Sequence, residues 1–186
     1  MKLNIRIVSH PIITYLSNIN KYLYLPYNLE KYILSQLGLF LIYESLRDWL
    51  LTYRLTIQKL DYQDSITIID PQESYMIITD QQDSLHFIQE IAYIIPKCKV
   101  KVIDLENSLP NELTEIKTNT KIIIALCQSK IFYLIELIRQ LTETNNLNIQ
   151  HIRVCTIYCK NEDLIQISDR YPKLNIYTTR IIRSII

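Results

Sequence analysis

Three short runs, "SYMIITD", "TKIIIALC" and "HIRVCTIYC", are almost wholly apolar, and stretches with helical apolar spacing lie between them. A strand without a wet face must be covered on both sides, which is the condition of a parallel sheet. The intervening pieces fit that arrangement. "DSLHFIQEIAYII" is amphipathic and closed by Pro96, a second helix runs from about Lys130 to Thr142, and "EDLIQISDRY" is a short helix ended by Pro172. "KCKVKVIDL" and "LNIYTTRII" add two further strands. The alternation predicts an α/β fold with a mainly parallel sheet flanked by helices.

The N-terminal third is organised differently. After the extended "LNIRIVSHP", apolar residues at helical spacing from Leu29 to Leu51, among them Ile33, Leu37, Leu41, Leu46 and Trp49, predict one long helix or two. "YRLTIQKL" and "DSITIID" then alternate with the period of a strand, and Pro71 ends the second, so an arm or hairpin is expected at roughly 52–71. Residues 1–186 are expected to form a single domain.

Composition narrows the function classes. Lys and Arg number 20 against 19 Asp and Glu, which offers no basic surface for nucleic acid or an anionic membrane. No apolar run approaches the roughly 20 residues of a membrane helix, so no membrane insertion is expected. The four cysteines, Cys98, Cys127, Cys155 and Cys159, lie in or beside apolar runs and read as reduced structural thiols. Gly38 is the only glycine, while residues with A/T-rich codons abound. This points to a plastid (chloroplast stroma) or to the cytoplasm of an A/T-rich organism. Any position requiring positive φ must then be filled by Asn, Asp or a strained residue.

Ligands of parallel α/β proteins sit at the carboxyl ends of the strands. The turns there, "TDQQDS", "DLENS", "ALCQSK" and "CKNED", lack the small residues of a phosphate cradle. Asp80 and Asp83 could pair for metal binding or proton transfer, but Asp83 or Ser84 reads more simply as a helix cap. Ser129 likewise reads as a cap. Cys127, near Lys130, could be a reactive thiol, though a packed one is the plainer reading. His10, His86 and His151 share no metal-ligand spacing.

Read as a whole, the chain resembles the uracil phosphoribosyltransferases, particularly the cyanobacterial and plastid form. "VSHPIITYL" looks like that family's opening His-Pro-Leu-(Ile/Val) segment. "QLGLFLIYESLRDWLLTYRLTIQ" resembles its Leu-Gly-x-x-Leu-Thr-Tyr-Glu-Ala-x-Arg-(Glu/Asp)-Trp-Leu helix and arm. "TIIDP" and "RYPKLNIYTTRI" resemble a strand end before the central sheet and a strand near the C-terminus. The resemblance implies a type I phosphoribosyltransferase-like sheet with a β-arm after the N-terminal helices, and oligomeric assembly.

The functional motifs fare worse. The family's pyrophosphate turn, Val-Pro-Ile-Leu-Arg-Ala-Gly-Leu, falls on "ITDQQDSL", with Gln82 for the Arg and Ser84 for the Gly. Its mobile loop, Arg-(Asp/Asn)-Glu-Glu-Thr-Leu, has no counterpart in "VIDLENSLP". Its ribose-phosphate signature, Asp-Pro-Met-Leu-Ala-Thr-Gly-Gly-(Ser/Thr), falls on "KIIIALCQSK", with Leu126 at the acid and no Thr-Gly-Gly. Its uracil-recognising Tyr-Ile-(Ile/Val)-Pro-Gly-Leu-Gly-Asp-Ala-Gly-Asp is not found up to "RIIRSII". The expectation is a homologue without catalysis, retained as a binding or assembly protein. No residue is assigned to catalysis, substrate binding or metal binding. No cofactor is expected, Mg2+ entering only if phosphoribosyl transfer to uracil persists. A homodimer contact or protein partner is expected around Leu37 to Tyr53 and the arm.

Overall fold

The structure, a computed structural model, describes residues 3–80, 84–95, 97–103, 116–128 and 130–182. The expected pieces on Gln82, Asp83, Pro96, Ser129, "ENSLP" and the last four residues lie outside the described residues. Along the chain run β1 (Asn4–Ile7), α1 (Pro11–Tyr22), α2 (Tyr27–Leu46), β2 (Thr52–Gln58), β3 (Gln63–Ile69) and β4 (Tyr75–Asp80). They are followed by α3 (Ser84–Ile94), β5 (Lys99–Ile103), β6 (Lys121–Gln128), α4 (Ile131–Glu143), β7 (Ile152–Lys160), α5 (Asn161–Arg170) and β8 (Asn175–Ile182).

Six strands form one sheet in the order β1-β8-β7-β6-β4-β5, and every pairing in it is parallel. The period of two divides each central strand between two cores. Ile77, Ile123, Ala125, Cys155, Ile157 and Tyr177 pack under α1, α2 and α3. Ile78, Ile122, Ile124, Leu126, Val154 and Ile176 pack under α4 and α5. Both faces are therefore covered, as the apolar runs require. β2 and β3 stand apart as an antiparallel hairpin, the expected arm.

Two findings correct the sequence reading. The helix predicted over Leu29 to Leu51 starts at Tyr27 and stops at Leu46. Beyond it the carbonyl of Trp49 accepts hydrogen bonds from the Tyr75 hydroxyl and the Lys121 ammonium, both at 3.1 Å, which turn the chain out into the arm. The second is α1, a helix not expected. Its start is nonetheless chemically ordinary: Pro11 occupies the first turn, and His10 caps it by accepting from the Ile12 N–H at 3.3 Å.

Positive φ falls on Lys97 (φ 55°) and Asn146 (φ 51°), among the described residues, so the shortage of glycine is met as the composition implied. At Asn146 the turn is a helix stop in which the Leu147 N–H reaches the Leu141 carbonyl at 3.2 Å. Gly38 serves a different end, because a Cβ there would land on the carbonyl oxygen of Phe87 in α3.

The thiols match their expected part. All four cysteines are free, with Cys155 and Cys159 buried. Burial pushes both thiols up from an ordinary 9.0 to about 12. Between those values the unfolded chain loses the proton first, so stability is complete below pH 9 and falls as pH rises, by about 1.4 kcal/mol per pH unit for each thiol. We expect the denaturant midpoint to drop between pH 9 and 11, and a Cys155→Val, Cys159→Val double variant to flatten that slope.

Candidate functional site

In the sheet order, β4 is followed outward by β5, and the chain then crosses back to place β6 on the other side of β4. The crevice beyond the ends of β4 and β6 is thus the switch point where a parallel sheet presents its ligand. Two interactions span it. Asp80, at the last position of β4 and buried, is paired with the Lys130 ammonium at 2.9 Å. The backbone N–H of Cys127 in β6 donates to the Ser84 hydroxyl at the start of α3 at 3.2 Å.

These contacts revise the roles considered for the same residues. Lys130 was the cation that could lower the pKa of Cys127, yet its charge is opposed by Asp80. Ser84 engages the end of β6. Asp80, whose possible partner Asp83 lies outside the described residues, reaches across the strand ends instead. Leu126, the residue that the resemblance sets against the family's ribose-binding acid, is 2% exposed and packed in the core beneath α4.

An open cleft of about 380 Å³ lies further along the same end of the sheet. Cys127 and Gln128 of β6 and Tyr158 and Lys160 of β7 form its floor, with Lys21 of α1 and Glu30 of α2 among its walls. The missed helix α1 is fastened here. The Tyr158 hydroxyl donates to the Ser17 carbonyl at 2.7 Å, the Ser17 and Thr179 hydroxyls lie 3.1 Å apart, and Arg180 donates to the Asn18 side chain at 3.0 Å. Hydrogen bonding from Lys21 lowers the Tyr22 phenol from its ordinary value. Two lysines against one glutamate give the cleft a weak positive charge, with no carboxylate aimed inward from β6.

Magnesium would accompany phosphoribosyl pyrophosphate in the family's reaction. The described residues do not fit it: among them no three His, Cys, Asp or Glu side chains come together to hold a metal ion, and the Asp80 carboxylate is paired with Lys130. His10 caps α1, and His151 lies at the other end of the sheet.

No family model matches the chain. The uracil phosphoribosyltransferase homolog of Porphyra purpurea is 22% identical over 181 residues, spanning 97% of this chain and 89% of that protein. The uracil phosphoribosyltransferase of Synechococcus elongatus is 22% identical over 194 residues, spanning 97% and 87%. The chain is a distant homologue of the uracil phosphoribosyltransferases. A homolog from Pyropia yezoensis is 23% identical over the same span as the Porphyra protein. Among solved structures, the AQ2163 protein from Aquifex aeolicus superposes with a TM-score of 0.75 at 17% identity, covering 98% of this chain and 89% of that one. The mainly parallel sheet flanked by helices is therefore shared with a solved fold. Among the described residues, no helix is long and apolar enough to cross a membrane.

Proposed function

We propose that this protein is a uracil phosphoribosyltransferase homologue that has lost phosphoribosyl transfer and is retained as a binding or assembly protein, in a single domain of plastid origin. The Asp80–Lys130 pair across the switch point is the observation that carries this reading. A pyrophosphate site requires unpaired cations and free N–H groups facing the crevice. Here the nearby cation is matched to a carboxylate, and the Cys127 N–H is already donated to Ser84. The ribose carboxylate is replaced by the buried Leu126. Relatives from Porphyra, Pyropia and Synechococcus are compatible with a plastid source.

Incubation with radiolabelled uracil, phosphoribosyl pyrophosphate and Mg2+ is expected to yield no UMP above a protein-free blank. Sustained UMP formation would establish the second reading, residual phosphoribosyl transfer, which is favoured by the near full-length match to the Synechococcus enzyme. The assembly part of the proposal rests on the arm. The apolar residues of α2 that drew attention in the sequence, Leu37, Leu41 and Leu46, are buried in the core, so they offer no docking surface. Tyr53, Leu55, Ile57 and Ile66 of the arm are exposed, and a second copy of the chain is the occupant we assign to them.

A further inference from the structure

The opposite end of the sheet, where the strands begin, holds a hollow of about 650 Å³ whose charged lining is cationic: Lys121, Arg153 and Lys173, with His151 and Trp49 beside them. Arg153 is only 7% exposed. One of its terminal nitrogens donates to the Ser45 carbonyl, and its guanidinium stacks 4.0 Å over the Trp49 ring. Among the described residues it pairs with no carboxylate, and its Nε is buried without a hydrogen-bond partner. His151 Nδ1 is buried and unpartnered as well. A buried guanidinium that lacks a counter-charge is unfavourable unless something else completes its hydrogen bonds.

The nearby acids make their direct contacts elsewhere, and Asp48 reaches Arg153 only at longer range. Asp48 is bound to Arg6 at 3.1 Å, and Glu73 to Lys121 at 2.8 Å. Subtracting Glu73 from the three cations of the lining leaves a formal excess of two positive charges (3 − 1). The planar fork of arginine matches tetrahedral and planar oxyanions through paired N–H donors, and the stacked indole holds that plane in place. From these observations we infer that the hollow at the amino ends of β6, β7 and β8 binds the phosphate group of a small phosphomonoester. A dianion balances the excess charge, facing the Lys121 and Lys173 ammoniums and the Arg153 guanidinium that line the hollow. Asn4 and Asn175, joined by a 3.1 Å hydrogen bond at the rim, add polar groups for the remainder of the ligand.

Calorimetric titration of the full chain with inorganic phosphate, with acetate at matched ionic strength as the comparison, tests the assignment. One saturable site for phosphate is expected, with affinity at least tenfold weaker in both Lys173→Glu and Arg153→Lys and unchanged in Lys160→Glu, which alters only the cleft at the other end. Lys173 is exposed, so its variant should melt like the wild type and remain informative if Arg153→Lys does not fold. The inference is overturned by absence of saturable heat, by equal affinity for acetate, by indifference to Lys173→Glu, or by loss of binding in Lys160→Glu.

Discussion

Replacing Gly38 with alanine is expected to destabilise the protein by about 3 kcal/mol or more, and to lower its melting temperature by roughly ten degrees or prevent folding. Helix propensity argues the other way, since alanine inside a helix is favoured over glycine by about 1 kcal/mol. Sterics win here because the added methyl would meet backbone. The new Cβ would fall on the carbonyl oxygen of Phe87, with the Phe87 carbonyl carbon 2.6 Å away. No rotamer change relieves a clash with a main-chain atom. Helix α3 would have to shift, and Phe87 is fully buried beneath it. Thermal melts of Gly38→Ala and Gly38→Ser would show the loss, and an unchanged melting temperature would mean that α2 and α3 slide apart freely. The position is informative in a chain that elsewhere meets positive φ with Lys97 and Asn146. The one glycine present stands where neither of those residues could substitute.

Much of the fold was readable from residues alone, and the reasons are local. β4, β6 and β7 are apolar on both faces, so their burial in a parallel sheet is written in each run. The arm announced itself through alternation bounded by turn residues. Helix α1 was not readable, although His10 and Pro11 mark its start, because "PIITYLSNINKY" combines β-branched residues with asparagines of low helix propensity. Its helical state depends on the links from Ser17 and Asn18 to Tyr158, Thr179 and Arg180, which are more than 140 residues distant. The same holds at the switch point. The sparse glycines and Leu126 were visible in the sequence, but nothing in it joined Asp80 to Lys130, 50 positions away. The hollow around Arg153 was equally hidden, since its cations come from three strand starts and Trp49 from the turn after α2.

Introducing Leu55→Asp with Ile57→Asp is expected to break the dimer proposed above into monomers, weakening association by a hundredfold or more. The register of the hairpin sets Tyr53 opposite Ile68 and Leu55 opposite Ile66, with Ile57 next along the same face. Residues directly opposite share a face of a sheet. That face is apolar except for Asp64 opposite Ile57 towards the tip, while the other carries Arg54, Thr56, Ser65 and Thr67. An isolated two-stranded hairpin is marginally stable in water, and an exposed apolar face of this kind marks an interface. Tyr53 at 48%, Leu55 at 45% and Ile66 at 41% exposure have surface still to bury. With less than half of each side chain still exposed, covering the rest would contribute roughly 0.7–1.5 kcal/mol each, about half the value of full burial. In a two-fold contact each substitution counts twice, so losing the remaining apolar area of Leu55 and Ile57 and adding desolvated charges exceeds the roughly 2.7 kcal/mol of a hundredfold change. Sedimentation equilibrium of wild type and variant measures it directly. A wild type that is monomeric with no partner retained, or a variant that stays dimeric, would remove the arm from the assembly role. The exposed position of these residues, away from the main sheet, means the variant should keep the wild-type melting behaviour of the core while losing its mass.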